Sequence, residues 1–240
     1  MSKVMLAPGD ALESHIGGWT FDGRTVPNFD AHVRKSVPFY DDAHSLVVKL
    51  SDFFVKNGSL IYDIGCSTGT LLSRLQAHHR DKSCHYVGID DQAAMVEAAR
   101  ERCRSASGID LLKADARLFE FEAADLVVSM YTIQFIPPRD RQALIDKIYR
   151  CLNWGGAFIL FEKTRAPDAR FQDISTTLYQ EFKLDAGYTL EEILGKSLSL
   201  KGVLEPFSYA GNIGLLQRAG FVDINPMFKY ICFEGFLCIK

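Results

Sequence analysis

Polar and apolar positions along this chain alternate between two periods. Short apolar runs, the pattern of buried strands, start at Ser59 and recur at 85–89, 109–113, 124–130 and 157–162. Between them lie amphipathic stretches of helical period at 70–79, 92–104 and 139–152. The run 124–130 is almost continuously apolar, which predicts a central parallel strand buried on both faces. Upstream, the pattern predicts a helix from 29 to about 37, capped by Asn28 and broken by Pro38. A second follows from 41 to about 55, with Leu46, Val47, Leu50, Phe53 and Phe54 on one face and Asn57-Gly58 as its stop. Downstream, 166–200 reads as helical with a break near Gly187, followed by a helix over 211–219 and strands over 222–228 and 230–239.

Strand and helix therefore alternate until a final hairpin. That order predicts an α/β, doubly wound, Rossmann-like sheet with helices on both faces and an antiparallel strand at the end. The chain reads as one domain in four segments. These are N-terminal helices and a lid (1–57), a nucleotide-binding core (58–165), a helical insertion (166–210), and a last helix with its hairpin (211–240). Residues 1–24 lack clear periodicity and are expected to be partly mobile, with Trp19, Phe21 and Phe29 available to fold over a pocket.

At 240 residues and 48% hydrophobic, the chain has enough apolar material for one sizeable core. Its net charge of −3 argues against direct nucleic-acid binding, which calls for a basic face. No run is long and apolar enough for a membrane span, and no signal-peptide pattern opens the chain. None of the six cysteines forms a C-x-x-C pair, so free thiols and a cytoplasmic location are expected. His78-His79 reads as a surface pair, and no metal site is expected.

The chemistry concentrates after the first strand. Asp63-Ile-Gly-Cys-Ser-Thr-Gly69 places an acid at a strand end and glycines in the turn to the next helix. Such a turn brings backbone N–H groups up to a ligand. The dinucleotide spacing G-x-G-x-x-G is not met, because its second and third positions are Ser67 and Thr70. Asp90 ends the second strand at the spacing of a ribose-binding carboxylate, with Asp91 beside it as a ribose neighbour or helix cap.

Asp63-x-Gly65, Asp90, Asp115 after the third strand, Leu152-Asn-x-Gly-Gly156 and the final hairpin together resemble class I S-adenosylmethionine (SAM) methyltransferases. The resemblance implies a seven-stranded sheet in the order 3-2-1-4-5-7-6 and SAM as cofactor. Over nearly the whole chain from Phe21, Arg34-Lys-Ser-Val-Pro-Phe-Tyr40, Tyr62-Asp-Ile-Gly-Cys-Ser67, Thr132-Ile-Gln-Phe135, 141–149 and Glu181-Phe-Lys183 with Ala186-Gly-Tyr188 are similar to the carboxy-SAM synthase family. That family makes carboxy-SAM from SAM and prephenate, and is dimeric. The resemblance implies Tyr40 at the sulfonium, Gly65, Cys66 and Ser67 along the amino-acid portion, and Asp90 and Asp91 at the ribose and adenosine. It further implies Asp115 and Ala116 at the adenine. Two positions depart from it. Met130 stands where the family has asparagine, and Ser197 where it has the arginine that binds the added carboxylate. A serine cannot replace a bidentate guanidinium.

Tyr131, Met130 and Gln134 follow the fourth strand, at the mouth where the reacting group must lie. Tyr131 is a candidate to face a cation with its ring or to hydrogen-bond, and equally to pack under the next helix. Glu162 is a candidate base or a solvated rim residue, and His32 and Arg34 are candidates for an anion or a solvated face. The readings left open are methyl transfer to a small-molecule substrate, a reaction of SAM with itself that expels methylthioadenosine (as azetidine-2-carboxylate formation does), carboxy-SAM synthesis, and a SAM-binding partner subunit. The base rate of the fold favours the first.

Overall fold

The computed structural model describes residues 8–9, 15–21 and 26–240. The strands are β1 (Leu60–Ile64), β2 (His85–Asp90), β3 (Ile109–Lys113), β4 (Ala124–Met130), β5 (Leu152–Lys163), β6 (Asp223–Tyr230) and β7 (Phe233–Ile239). They form one sheet in the order β3-β2-β1-β4-β5-β7-β6. The first five are parallel, and β7 runs antiparallel between β5 and β6. This is the expected order, and β4 lies at the centre with six of its seven residues buried.

Alternation along the strands builds two cores. Ile61, Leu126, Val128, Ile159 and Phe161 face α2 (Tyr40–Ser51), α3 (Thr70–His78) and α4 (Ala93–Arg102). Tyr62, Ile64, Val127, Phe158 and Leu160 face α5 (Pro138–Cys151) and α8 (Tyr209–Ala219). The period-2 pleat turns every second side chain to the opposite layer. The remaining helices are α1 (Phe29–Ser36), α6 (Ala169–Asp185) and α7 (Leu190–Ser199), and the last two crowd the carboxyl edge of the sheet.

Several expected boundaries move. α2 stops at Ser51 and gives way to a turn over 52–54. β5 begins at once after α5, because Asn153 to Gly156 continue as strand beside a register shift opposite Ala124 and Leu126. The hairpin turns at Ile231-Cys232. Asn28 stands at the α1 N-cap without a side-chain cap bond. Asp91 does not cap α4 either, since the Gln92 N–H donates to Asp90 Oδ1.

His79 is buried, against expectation. Its Nε2 lies 2.7 Å from Ser51 Oγ, and Asp52, His78 and His79 converge where α2 meets α3. The Lys82 ammonium lies 3.1 Å from His79 Nδ1. Of the N-terminal stretch, 1–7, 10–14 and 22–25 lie outside the described residues. The described part is tied down, with the Gly17 N–H donating to Leu198 O and the Trp19 N–H to Ser199 O at the end of α7. Among the described residues no helix is long and apolar enough to cross a membrane.

Candidate active site

One cavity of about 730 Å³ opens at the carboxyl ends of β1, β2, β4 and β5. Its size is that of a small-molecule site. The glycine turn forms its floor. Gly65 has φ +76°, and a Cβ there would lie 2.7 Å from Thr132 Cβ, so only glycine lets the turn pass beneath the loop after β4. Ser67 holds the left-handed conformation at φ 50° without being glycine. Its N–H donates to Asp90 Oδ2 at 2.9 Å, which pins that carboxylate across the mouth of the turn. The Cys66 thiol is turned into the core and burial pushes its pKa up, so Cys66 contributes backbone. Thr68 Oγ1 donates to Asp30 Oδ1 at 2.7 Å and fastens α1 over the turn.

Gly69 was expected at the ligand. It starts α3 at φ +75° and faces α4, where a Cβ would meet Ala99 Cβ at 3.0 Å, and it does not line the cavity. The other residues expected at the cofactor line it, whereas the candidates Glu162 and Arg34 do not. Asp63 is fully buried, and burial together with the Asp90 charge pushes its carboxyl up to about 7. Burial also raises the Asp90 carboxyl. Asp115 is clamped by Arg117 at 2.6 Å, and that hydrogen bond holds its carboxyl below the usual range. Asp91 stands exposed at the rim and accepts from Gln92 Nε2, with Ala116 on the same side.

Tyr131 follows β4 at φ 58°, its N–H donating to Phe161 O at 2.7 Å. Its hydroxyl is buried and has no hydrogen-bond partner, and burial raises its pKa. The ring meets Tyr40, Phe161 and Phe233 at about 6 Å between centroids. Gln134 differs from expectation, because both ends of its amide are engaged within the protein. Nε2 donates to Tyr131 O and Oε1 accepts the Lys163 N–H, so it braces the loop. Glu162 is not on a solvated rim. It is buried, accepts the Ile133 N–H at 3.1 Å, and burial pushes it up to about 8.

Tyr40 follows Phe39, another non-glycine residue at positive φ (55°), and that kink aims α2's first residue into the cavity. Burial raises the Tyr40 hydroxyl pKa. The His44 ring lies 4.4 Å from the Tyr40 ring, and burial holds its pKa down at about 4, leaving it neutral. Trp19 and Phe21 roof the cavity. Trp19 stacks on His32 at 5.5 Å and Phe21 meets Phe135 at 5.1 Å. His32 is therefore a buried wall residue, while Arg34 is exposed and paired with Asp41.

At the other end, α6 supplies residues that periodicity alone did not single out. The ammonium groups of Lys163 and Lys183 lie over the Tyr179 ring, 4.2 and 4.5 Å from its centre, and the Tyr179 hydroxyl donates to Ser36 O at 2.7 Å. Lys196 lies over Trp19, and Met130 and Ser197 line the same cavity. Asp63, Asp90, Asp91 and Asp115 thus gather at the β1–β3 end, aromatic rings stand over β4, and Lys163, Lys183 and Lys196 gather at the α6–α7 end, with Glu205 also lining the cavity beside the loop after β4. The signal in the sequence is Tyr179-x-x-x-Lys183, one helical turn apart.

Comparison with known proteins shows what the chain is similar to. The profile of a family described as "Methyltransferase domain" matches residues 61–156. The carboxy-S-adenosyl-L-methionine synthase of Staphylococcus epidermidis is 39% identical over 223 residues, which is 92% of this chain and 97% of that protein. The synthase of Campylobacter lari is 37% identical over 92% of this chain and 94% of its own. Among solved structures, human N-acetylserotonin methyltransferase in complex with SAM superposes with a TM-score of 0.60 at 19% identity, covering 91% of this chain and 56% of that one. An O-methyltransferase family protein from Burkholderia thailandensis gives 0.63 at 19% identity, covering 92% and 60%.

Proposed function

The chain belongs to the carboxy-S-adenosyl-L-methionine synthase family, and we propose that it binds SAM in this cavity and transfers its methyl group to a small acceptor. The supporting observation is the division of one cavity into an acidic nucleoside end, an aromatic middle and a cationic far end. The residues fit the ligand. Asp90 keeps carboxylate lone pairs toward the cavity for ribose hydroxyls while two backbone N–H groups fix its orientation. Asp63, forced toward its neutral form when alone, is relieved by an ammonium such as that of an amino acid. The Gly65–Ser67 backbone approaches closely enough to follow an amino-acid tail.

SAM supplies a methyl carbon on a cationic sulfur, and a nucleophile that bonds to that carbon returns the C–S electron pair to sulfur as a neutral thioether. The protein's part is to align the two partners and exclude water. Tyr40, Tyr131 and Phe233 present ring faces suited to a sulfonium. Trp19 and Phe21 close the roof.

A second reading, carboxy-SAM synthesis, draws support from the nearly full-length similarity to proteins of that name. Met130 and Ser197 weigh against it. A homodimer is also proposed. Phe171, Ile174 and Leu178 are exposed apolar residues at helical spacing on α6, and Leu190 and Leu194 are exposed on α7. Sedimentation at a mass near 26.9 kDa, that of one chain, would count against the dimer.

Mass spectrometry of the nucleoside products tests the reaction. The protein is incubated with SAM alone, with SAM and a small-molecule extract, and with SAM and prephenate. S-adenosylhomocysteine formed only with the extract supports methyl transfer. Carboxy-SAM with prephenate replaces it by the second reading. Methylthioadenosine from SAM alone replaces both by attack within SAM itself, and intact SAM throughout removes the enzymatic reading.

A further inference from the structure

Away from the cavity, three side chains of metal-ligating type converge where the end of α2 meets the end of α3. Asp52 follows α2 directly, His78 ends α3, and His79 is the α3 C-cap. His78 Nε2 lies 2.8 Å from Asp52 Oδ1, and His79 Nδ1 lies 4.0 Å from the same oxygen. All three atoms are within 4.8 Å of one another, and among the described residues no other three histidine, cysteine or acidic side chains come together in this way. A tetrahedral ion with bonds of about 2.0–2.2 Å holds its ligand atoms about 3.3 Å apart, so small side-chain rotations bring this set onto one ion.

The surroundings prepare His79 as a ligand. Ser51 Oγ donates its one hydrogen to Val48 O at 2.6 Å, so toward His79 Nε2, 2.7 Å away, it can only accept. The His79 proton therefore sits on Nε2, and Nδ1 presents a bare lone pair on the side of Asp52 and Lys82. A hydrogen bond at the far nitrogen is how histidine ligands are usually oriented. His79 is buried and held in place, while Asp52 and His78 are exposed and open to an entering ion. Two helix C-termini meet here, and their carbonyl ends favour positive charge. One cation is already drawn in, since Lys82 Nζ lies 2.7 Å from Val55 O and 3.1 Å from His79 Nδ1. Asp81 adds a further negative charge near His79.

We propose that Asp52, His78 and His79 bind a divalent transition-metal ion of the zinc class, with Lys82 competing for the same His79 lone pair. Two imidazoles and a carboxylate suit Zn²⁺, with water in the fourth position. The ion replaces the hydrogen bond between His78 and Asp52 and displaces the Lys82 ammonium from Nδ1, while Val55 O remains as that ammonium's acceptor. Once bound, it ties the end of α2 to the end of α3. The opposite end of α2 carries Tyr40 into the cavity, but the helix is 12 residues long, about 18 Å, and none of the three ligands lines the cavity. The site is therefore independent of what the cavity binds. Asp52 lies 26 residues before His78 in the chain, so the histidine pair by itself reads as surface.

The test is calorimetric titration of zinc chloride into the full chain, first freed of metal with a chelator, for the native protein and for Asp52→Ala, His78→Ala, Lys82→Met and His85→Ala. Thermal melts establish that each variant folds. His85 is the control, an exposed histidine paired with Asp110 away from the cluster. One Zn²⁺ is expected to bind per native chain. Asp52→Ala and His78→Ala each weaken binding at least about tenfold, because even a ligand's hydrogen-bond partner is worth that much. Lys82→Met tightens it about threefold or more by removing a like charge beside the ion, and His85→Ala leaves it within about twofold. Saturating zinc raises the melting temperature of the native protein and not that of Asp52→Ala. Absence of saturable binding to the native protein, native-like affinity in the Asp52 and His78 variants, or no gain in Lys82→Met overturns the site.

Discussion

The Glu162 carboxyl accepts the backbone N–H of Ile133 at 3.1 Å, beneath the short turn that follows Tyr131. A buried acid thus holds the loop after β4 from below, and the buried Arg141 holds it from the side through Ile136 O and Gln134 O. Tyr131 keeps its strained backbone because these bonds over-determine the loop.

Glu162 makes stability pH-dependent. In the folded protein it keeps its proton up to about pH 8, whereas an unfolded glutamate releases it near 4.5. Between those values the folded state binds more protons, so stability falls as pH rises through the window. Glu162→Gln retains an acceptor for Ile133 and cannot ionise. Thermal melts from pH 5 to 9 are expected to give a flatter profile for the variant, with its advantage appearing toward pH 8. Parallel profiles would remove Glu162 as the source.

Lys183 acts in the opposite direction. Burial lowers its pKa from 10.5 to about 7. From about 7 to 10.5 the unfolded state binds the extra proton, so stability rises with pH there, and the cost of the buried charge is complete below about 7. Lys183→Met is expected to stabilise the fold by on the order of 2 kcal/mol at pH 6 and by less at pH 9. Denaturant melts at the two pH values measure it.

The two glycines of the turn separate binding from folding. Gly65→Ala drives a Cβ against Thr132 and is expected to lower SAM affinity at least about tenfold, by displacing the loop over the site. Gly69→Ala strains the left-handed backbone at φ +75° and the α3–α4 contact, away from the cavity. It is expected to cost about 1–2 kcal/mol of stability with SAM affinity unchanged. Calorimetry and melts on both variants check the contrast.

Tyr131→Phe removes a buried hydroxyl that has no partner, so the fold is expected to be as stable or slightly more stable. If the hydroxyl meets the reacting groups, kcat falls about tenfold or more while KM for SAM moves little. Unchanged kcat would leave Tyr131 as packing alone.

The acidic half of this site was legible because α/β geometry requires it. Parallel strands end together at one edge, so an acid ending β1 and another ending β2 must converge, and Asp63 and Asp90 do. The cationic half was not. Lys163 and Lys183 belong to different elements, and apolar periodicity orients a helix by its greasy face, which in α6 points outward. Glu162 read as either a base or a solvated rim residue, because its roof, the turn over 133–135, comes from a separate part of the chain. Gly69 looked like a ligand contact by motif position, but its φ and the nearness of Ala99 assign it to helix packing. Gln134 lies at the mouth as expected, yet its amide is already engaged on both sides.

The central claim is that SAM occupies this cavity with its ribose on Asp90. Calorimetric titration of SAM into the native protein and into Asp90→Asn tests it most directly. One SAM is expected to bind per chain, with affinity at least about tenfold lower in the variant, the loss of one charged hydrogen-bond acceptor. No SAM binding to the native protein, or equal affinity in both, would contradict the account.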